Sequence, residues 1–191
     1  MTDSSNYAAF VSYSHADERF ARWLHRQLET YRVPKHLVVS DGEDRNRIGR
    51  IFRDRDDLPA ANDLSAIVQA ALASSEALIV ICSPAAAQSR WVNREIEVFR
   101  ELYPDRPILA AIVAGEPGGE ASKQNCYPPA LRRPRADGGY DEPAGADFRP
   151  GKDGKRTGVV KLVAGLLGLP LDQILQRDLH LNHDKYGFTG A

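Results

Sequence analysis

Ala77-Leu78-Ile79-Val80-Ile81-Cys82, closed by Ser83-Pro84 and followed by Ser89-Arg90-Trp91-Val92-Asn93-Arg94-Glu95, decides the fold. Six consecutive apolar residues with a β-branched centre read as a strand buried on both faces, the kind a parallel sheet uses. After it the period changes from extended to helical: Val92, Ile96, Phe99 and Tyr103 share one stripe. A buried strand feeding an amphipathic helix is half of a βαβ unit, so the rest of the chain is read for repetitions of that pattern.

Residues 7–13 are short and β-prone, and Ser14, His15, Ala16, Asp17 and Glu18 then supply helix-start residues with acidic groups in the first turn. Phe20, Trp23, Leu24, Leu28 and Tyr31 recur at helical spacing until Pro34. Past a polar loop over residues 40–46, residues 48–52 read as a second, short strand. Arg53-Asp54-Arg55-Asp56-Asp57-Leu58-Pro59 forms a charged loop, and Asn62 or Asp63 is expected to cap a helix whose apolar positions are Leu64, Ile67, Val68, Ala71 and Leu72. Residues 107–113 make a fourth strand. Residues 114–158 hold nine of the 15 glycines and six of the 12 prolines, which predicts mostly loop around one short strand near residues 146–149. A last long helix is expected over residues 157–167, ended by Gly168 and Pro170, with one more short helix over residues 172–181. Strands alternating with helices predict an α/β, flavodoxin-like three-layer sandwich with a central, mainly parallel five-stranded sheet. The expected division is a polar N-terminal extension (residues 1–6), one domain (residues 7–181) and a C-terminal tail (residues 182–191).

The chain's 191 residues, 42% hydrophobic and 27% charged, suffice for one full core. A formal net charge of −1 argues against dominant attraction to nucleic acid or anionic lipid. The two cysteines, Cys82 in an apolar strand and Cys126 in a polar loop, predict neither a disulfide framework nor a metal cluster. The polar start lacks the apolar core of a secretory signal, and the apolar run over residues 162–171 is far below the ~20 residues a membrane span needs. A cytoplasmic location without a membrane span is therefore expected.

Helical direction sorts the carboxylates that follow Trp91. At roughly 100° per residue, Glu101 lies nearly opposite the core stripe and Glu97 about 130° from it, whereas Glu95 is only about 70° away. Glu97 and Glu101 are therefore read as solvated charges, and Glu95 as a boundary residue beside Trp91, just past the carboxyl end of a strand. Open α/β sheets place ligands there. Other chemistries find less support. The aspartates of residues 54–57 resemble a Mg²⁺ pocket of receiver type, but no lysine follows the fourth strand. His180 and His183 are three apart without a further ligand, Ser83 and Ser89 have no adjacent histidine, and no Gly-rich phosphate loop is present. No metal and no resident cofactor are expected.

Tyr7-Ala8-Ala9-Phe10-Val11-Ser12-Tyr13-Ser14, the charged loop from Arg53 to Pro59 and Ser89-Arg90-Trp91-Val92-Asn93-Arg94-Glu95, in that order and spacing, resemble the three signature regions of bacterial Toll/interleukin-1 receptor (TIR) domains of the NAD⁺-cleaving type. Tyr127-Pro128-Pro129 and the run from Lys161 to Pro170 also look like a bacterial TIR subgroup. The resemblance covers roughly residues 7–181. It implies a five-stranded parallel sheet and NAD⁺ cleavage at the glutamate of a WxxxE motif, here Glu95. It implies that Ser14 and His15 line the pocket. The loop after the second strand, with Asp56, Asp57, Leu58 and Pro59, becomes an assembly element (the BB loop). NAD⁺ is then substrate rather than cofactor.

Nicotinamide leaves NAD⁺ as a neutral base, so breaking its ribosyl bond needs no protonating acid, and one carboxylate suffices. On this reading ionised Glu95 stabilises the developing oxocarbenium charge, Trp91 shapes an apolar wall, and Arg53, Arg55 and His15 are candidate pyrophosphate donors. The expected protein is a TIR NAD⁺ glycohydrolase (an NAD⁺ nucleosidase) or ADP-ribosyl cyclase in bacterial immune signalling, antiphage defence or NAD⁺ depletion, active as a homo-oligomer or filament with other TIR domains. The alternative is a non-enzymatic TIR–TIR adaptor module using the same loops.

Overall fold

The computed structural model describes residues 7–34, 47–53, 65–117, 124–134, 136–141 and 143–174. Its centre is a sheet of five parallel strands: β1 (Ala9–Ser12), β2 (Ile51–Arg53), β3 (Leu78–Cys82), β4 (Ile108–Ile112) and, last in the chain, β7 (Gly145–Asp147), in the order β2-β1-β3-β4-β7. The strands β5 (Arg133–Pro134) and β6 (Tyr140–Asp141) pair antiparallel as a separate two-stranded ribbon. The helices are α1 (Glu18–Thr30), α2 (Ala66–Ala73), α3 (Pro84–Gln88), α4 (Arg90–Leu102) and α5 (Gly154–Leu167).

Side chains alternate across each strand, so the central strands feed two cores. Ala9, Val11, Ile79, Ile81, Leu109 and Ala111 pack with α1 and α5 on one face. Phe10, Leu78, Val80, Cys82, Ala110 and Ile112 pack with α2 and α4 on the other. This is the predicted three-layer α/β sandwich, and the continuous apolar run of β3 is explained by its burial on both faces.

Several boundaries differ from the sequence reading for identifiable reasons. A 3-10 turn over His15–Asp17 precedes α1, so the helix proper starts at Glu18. Ser65 caps α2 by accepting the Val68 N–H, while Asn62, Asp63 and Leu64 lie outside the described residues. Ile67, read as a core position, is 69% exposed, and α2 buries only Val68, Ala71 and Leu72. Ser83-Pro84 is not merely a strand end: Ser83 is the N-cap and Pro84 the first residue of α3. The glycine- and proline-rich segment contains a 3-10 turn (Pro129–Leu131) and the β5–β6 ribbon besides β7. Cys126, expected in a polar loop, is fully buried against the α4 core. α5 ends where predicted, at Gly168, whose φ of 63° is the left-handed C-cap that glycine adopts without strain. Residues 171–174 are helical, but the rest of the predicted final helix, with His180 and His183, lies outside the described residues. Among the described residues no helix is long and apolar enough to cross a membrane.

Candidate functional site

In a parallel sheet all carboxyl ends lie along one edge, which here brings Arg53, Ser12, Cys82, Ile112 and Asp147 into one row. α4 rises beside the middle of that row. Ser89 starts it by accepting the Val92 N–H at 3.3 Å, and Val92, Ile96 and Phe99 bury its core stripe. Glu95 is 7% exposed, deeper than a boundary residue, whereas Glu97 and Glu101 are exposed as expected.

At this depth Glu95 meets Ser12. Alternation along β1 sends Ala9 and Val11 to the α1 and α5 face, and so sends Phe10 and Ser12 toward α4. The Ser12 hydroxyl donates to Glu95 Oε2 at 2.5 Å, with Ser12 itself 1% exposed. The opposite flank of α4 is also held. Asn93 Oδ1 accepts the Ala130 N–H at 2.9 Å, and Arg100 donates to the carbonyls of Ala130 and Leu131. The helix that carries Glu95 is therefore fixed on two sides as well as along its stripe.

A second tie closes the same edge. Ser83 Oγ accepts the Ala86 N–H at 3.1 Å as the cap of α3, and its own hydrogen goes to Asp17 at 2.5 Å. This links the turn after β1 to the helix after β3. Burial raises the Asp17 carboxyl above its ordinary range, and the Ser83 hydrogen bond opposes that shift in part. Further along the row, Arg149 forks onto Asp147 and reaches the Gly115 carbonyl at 2.7 Å and Glu116 at 2.9 Å, clamping the loop after β4 to the end of β7. The hydrogen bonds from Arg149 hold the Asp147 carboxyl below its ordinary range.

The sequence-predicted residues distribute unevenly around this edge. Ser14 is half-buried, its carbonyl accepting the Asp17 N–H at 2.8 Å, and His15 is exposed on the 3-10 turn. Arg53 pairs in register with Val11 and so leaves the sheet on the α1 face, opposite Glu95. It donates to the Tyr13 hydroxyl at 3.1 Å and lies in a groove of about 560 Å³ with Arg22, Arg26 and Glu29. Trp91 is half-buried against the α4 core and lines another groove, of about 500 Å³, with Asn93, Arg94, Pro129 and Ala130. Arg55, Asp56, Asp57, Leu58 and Pro59 lie outside the described residues. Three residues that the sequence reading did not place in the site, Ser12, Asp17 and Ser83, make polar contacts of 2.5 Å at this edge. For Ser12 a signal existed: it is the polar residue that ends an apolar strand, two positions after Phe10 and hence on the same face.

Both thiols are free and buried. Burial pushes Cys126 up to about 11 and Cys82 well above its ordinary value, so neither is a ready nucleophile. Among the described residues no group of three or more His, Cys, Asp or Glu side chains could hold a metal ion.

The chain is 33% identical over 134 residues to NAD(+) hydrolase ApTIR of Actinoplanes sp., a match covering 66% of this chain but only 18% of that relative's length. The TIR domains in a structure of the activated Roq1 resistosome directly recognizing the pathogen effector XopQ align at 20% identity with a TM-score of 0.43, over 59% of this chain and 60% of that one. The TIR domain family model matches residues 9–136. That match runs from the first strand past α4 and the turn it grips, more than half of the sequence, and the chain belongs to the TIR domain family.

Proposed function

We propose that this TIR domain is an NAD⁺ glycohydrolase whose reacting carboxylate is Glu95. The observation that carries the reading is a glutamate only 7% exposed at the carboxyl edge of a parallel sheet, with a hydroxyl donating to it at 2.5 Å. A carboxylate held by a donor at a fixed place is preorganised, and in its ionised form it supplies the negative charge that an oxocarbenium-like transition state requires. The relative named as an NAD(+) hydrolase supports the choice of substrate.

In the proposed reaction the bond between ribosyl C1′ and the nicotinamide nitrogen breaks, and its electron pair leaves with nicotinamide, which becomes neutral. Positive charge develops on C1′ and the ring oxygen, facing Glu95. Water then attacks C1′ and loses a proton, giving ADP-ribose. Attack by the adenine ring of the same molecule instead gives the cyclic product, the ADP-ribosyl cyclase outcome. Trp91, Ser14, His15 and Arg55 are proposed to bind the rest of the dinucleotide, and Arg53, which leaves the sheet on the other face, is not among them. Residues 56–59 are proposed to join copies of the domain into the active assembly, with cytoplasmic NAD⁺ depletion or a nucleotide signal in bacterial immunity as the outcome.

The test is nicotinamide release from NAD⁺ by concentrated protein. Glu95→Ala is expected to reduce turnover by at least about 100-fold, the scale at which losing one preorganised electrostatic group operates. Equal turnover by a folded Glu95→Ala protein removes Glu95 from the mechanism. No release by either protein, with self-association that survives Glu95→Ala, favours the adaptor reading.

A further inference from the structure

We propose that Ser12 is the positioning residue of the reacting carboxylate: its hydroxyl, fixed at the end of the central strand β1, holds Glu95 Oε2 in place for the chemistry. The inference deepens the proposed NAD⁺ cleavage and rests on that reading.

Three observations carry it. Ser12 is 1% exposed and Glu95 7% exposed, so neither has bulk water as a full substitute for the other. Their contact spans 83 residues of sequence, which means that neither local helix geometry nor local turn geometry forces it. β1 is paired on both sides, Phe10 with Phe52 and with Leu78, and Ser12 itself pairs with Val80. The donor therefore sits on a strand held on both sides, whereas the acceptor ends a three-torsion side chain.

A hydroxyl has one hydrogen to give. The Ser12 hydrogen goes to Glu95 Oε2, so the bond is a donation to the carboxylate, which fixes its plane. A glutamate reaching from a helix to a reacting carbon has several rotamers of similar energy, and misplacement by about 1 Å is enough to cost about 100-fold in rate. Ser12 need not touch NAD⁺ to matter. Its effect passes through Glu95, and it belongs in kcat rather than in substrate affinity.

The experiment has a catalytic arm and a folding arm. In the first, steady-state nicotinamide release is compared for the wild type, Ser12→Ala, Ser12→Thr and Glu95→Ala. The expected result is a kcat at least about tenfold lower in Ser12→Ala with KM within about twofold, and recovery of most of the loss in Ser12→Thr, which keeps the donor. Ser12→Cys, similar in shape with a weaker donor, falls between and replaces Ser12→Thr if the added methyl is not accommodated. Unchanged kcat in Ser12→Ala, with Glu95→Ala inactive, overturns the role of Ser12 while leaving the proposed activity standing. In the second arm the melting temperatures of Ser12→Ala, Glu95→Ala and the double variant are measured. Each single change removes the same buried hydrogen bond, so the double variant is expected to melt higher than the two separate shifts added together. Strict additivity overturns the coupling, and this arm gives its answer even if the wild type releases no nicotinamide.

Discussion

Asp17 carries the pH signature of this domain at the scale of single residues. Its carboxyl is partly buried and accepts the Ser83 hydroxyl at 2.5 Å, yet burial outweighs that bond and raises its pKa above 3.8. An acid whose folded pKa is raised holds its proton more tightly in the folded protein than in the unfolded chain. Its stabilising contribution is thus present below the unfolded pKa and is lost as pH rises through the folded one. Asp17→Asn cannot ionise. Its melting temperature relative to the wild type is expected to be more favourable at about pH 7 than at about pH 4. A difference that does not change with pH would show that burial and the Ser83 bond cancel at Asp17, and one of opposite sense that the bond governs it. The Asp147 carboxyl behaves in the opposite sense: Arg149 lowers its pKa, so its contribution is kept above the unfolded value and lost in acid.

Among the elements, β7 is the one whose place depends most on a missing side chain. A Cβ on Gly145 would lie 1.9 Å from the Ala110 carbonyl oxygen, within the β4–β7 pairing of Ala110 with Gly145. Gly145→Ala is therefore expected to lower unfolding free energy by about 3 kcal/mol, as backbone must separate where no side chain can yield. Urea titration measures it, and a loss under about 1 kcal/mol would mean that the strand shifts freely. Of the five strands of the central sheet, β7 was also the least legible in the sequence. Gly-Ala-Asp has no β-branched residue, and a three-residue edge strand leaves almost no periodic signal, so the expected position near residues 146–149 overlapped the real one without matching its start. β3 and α4 were legible because burial on two faces and a clean stripe both leave long patterns. α3 was missed although Ser83-Pro84 spells a cap and a first turn, since a five-residue helix has too few positions to show a period. Glu95 was placed in the right direction but at the wrong depth. Angles around one helix report direction only, and depth depends on what other elements bring against the helix, such as Ser12, 83 residues away. The opposite exits of Arg53 and Glu95 required the sheet order, which no single strand encodes.

For the whole molecule, two cores back to back on one sheet make the carboxyl edge a rigid rim. The proposed activation by assembly belongs at this scale. Specific activity is expected to rise with protein concentration and to flatten in Pro59→Ala or Asp57→Ala. Turnover strictly proportional to enzyme over about a hundredfold range, in protein that gel filtration shows to be monomeric throughout, would separate activity from assembly. The pairing of β1 with both β2 and β3 adds a constraint on remodelling the domain. Strand side chains alternate with a period of two, so deleting one residue from the middle of β1 exchanges its faces and turns the Ser12 hydroxyl toward α1 and α5. A chimera that receives α4 with its tryptophan and glutamate, but keeps a foreign first strand, inherits the acid without its anchor. The unit that must be transplanted is the strand and the helix together, with β3, which pairs with the one and packs against the other.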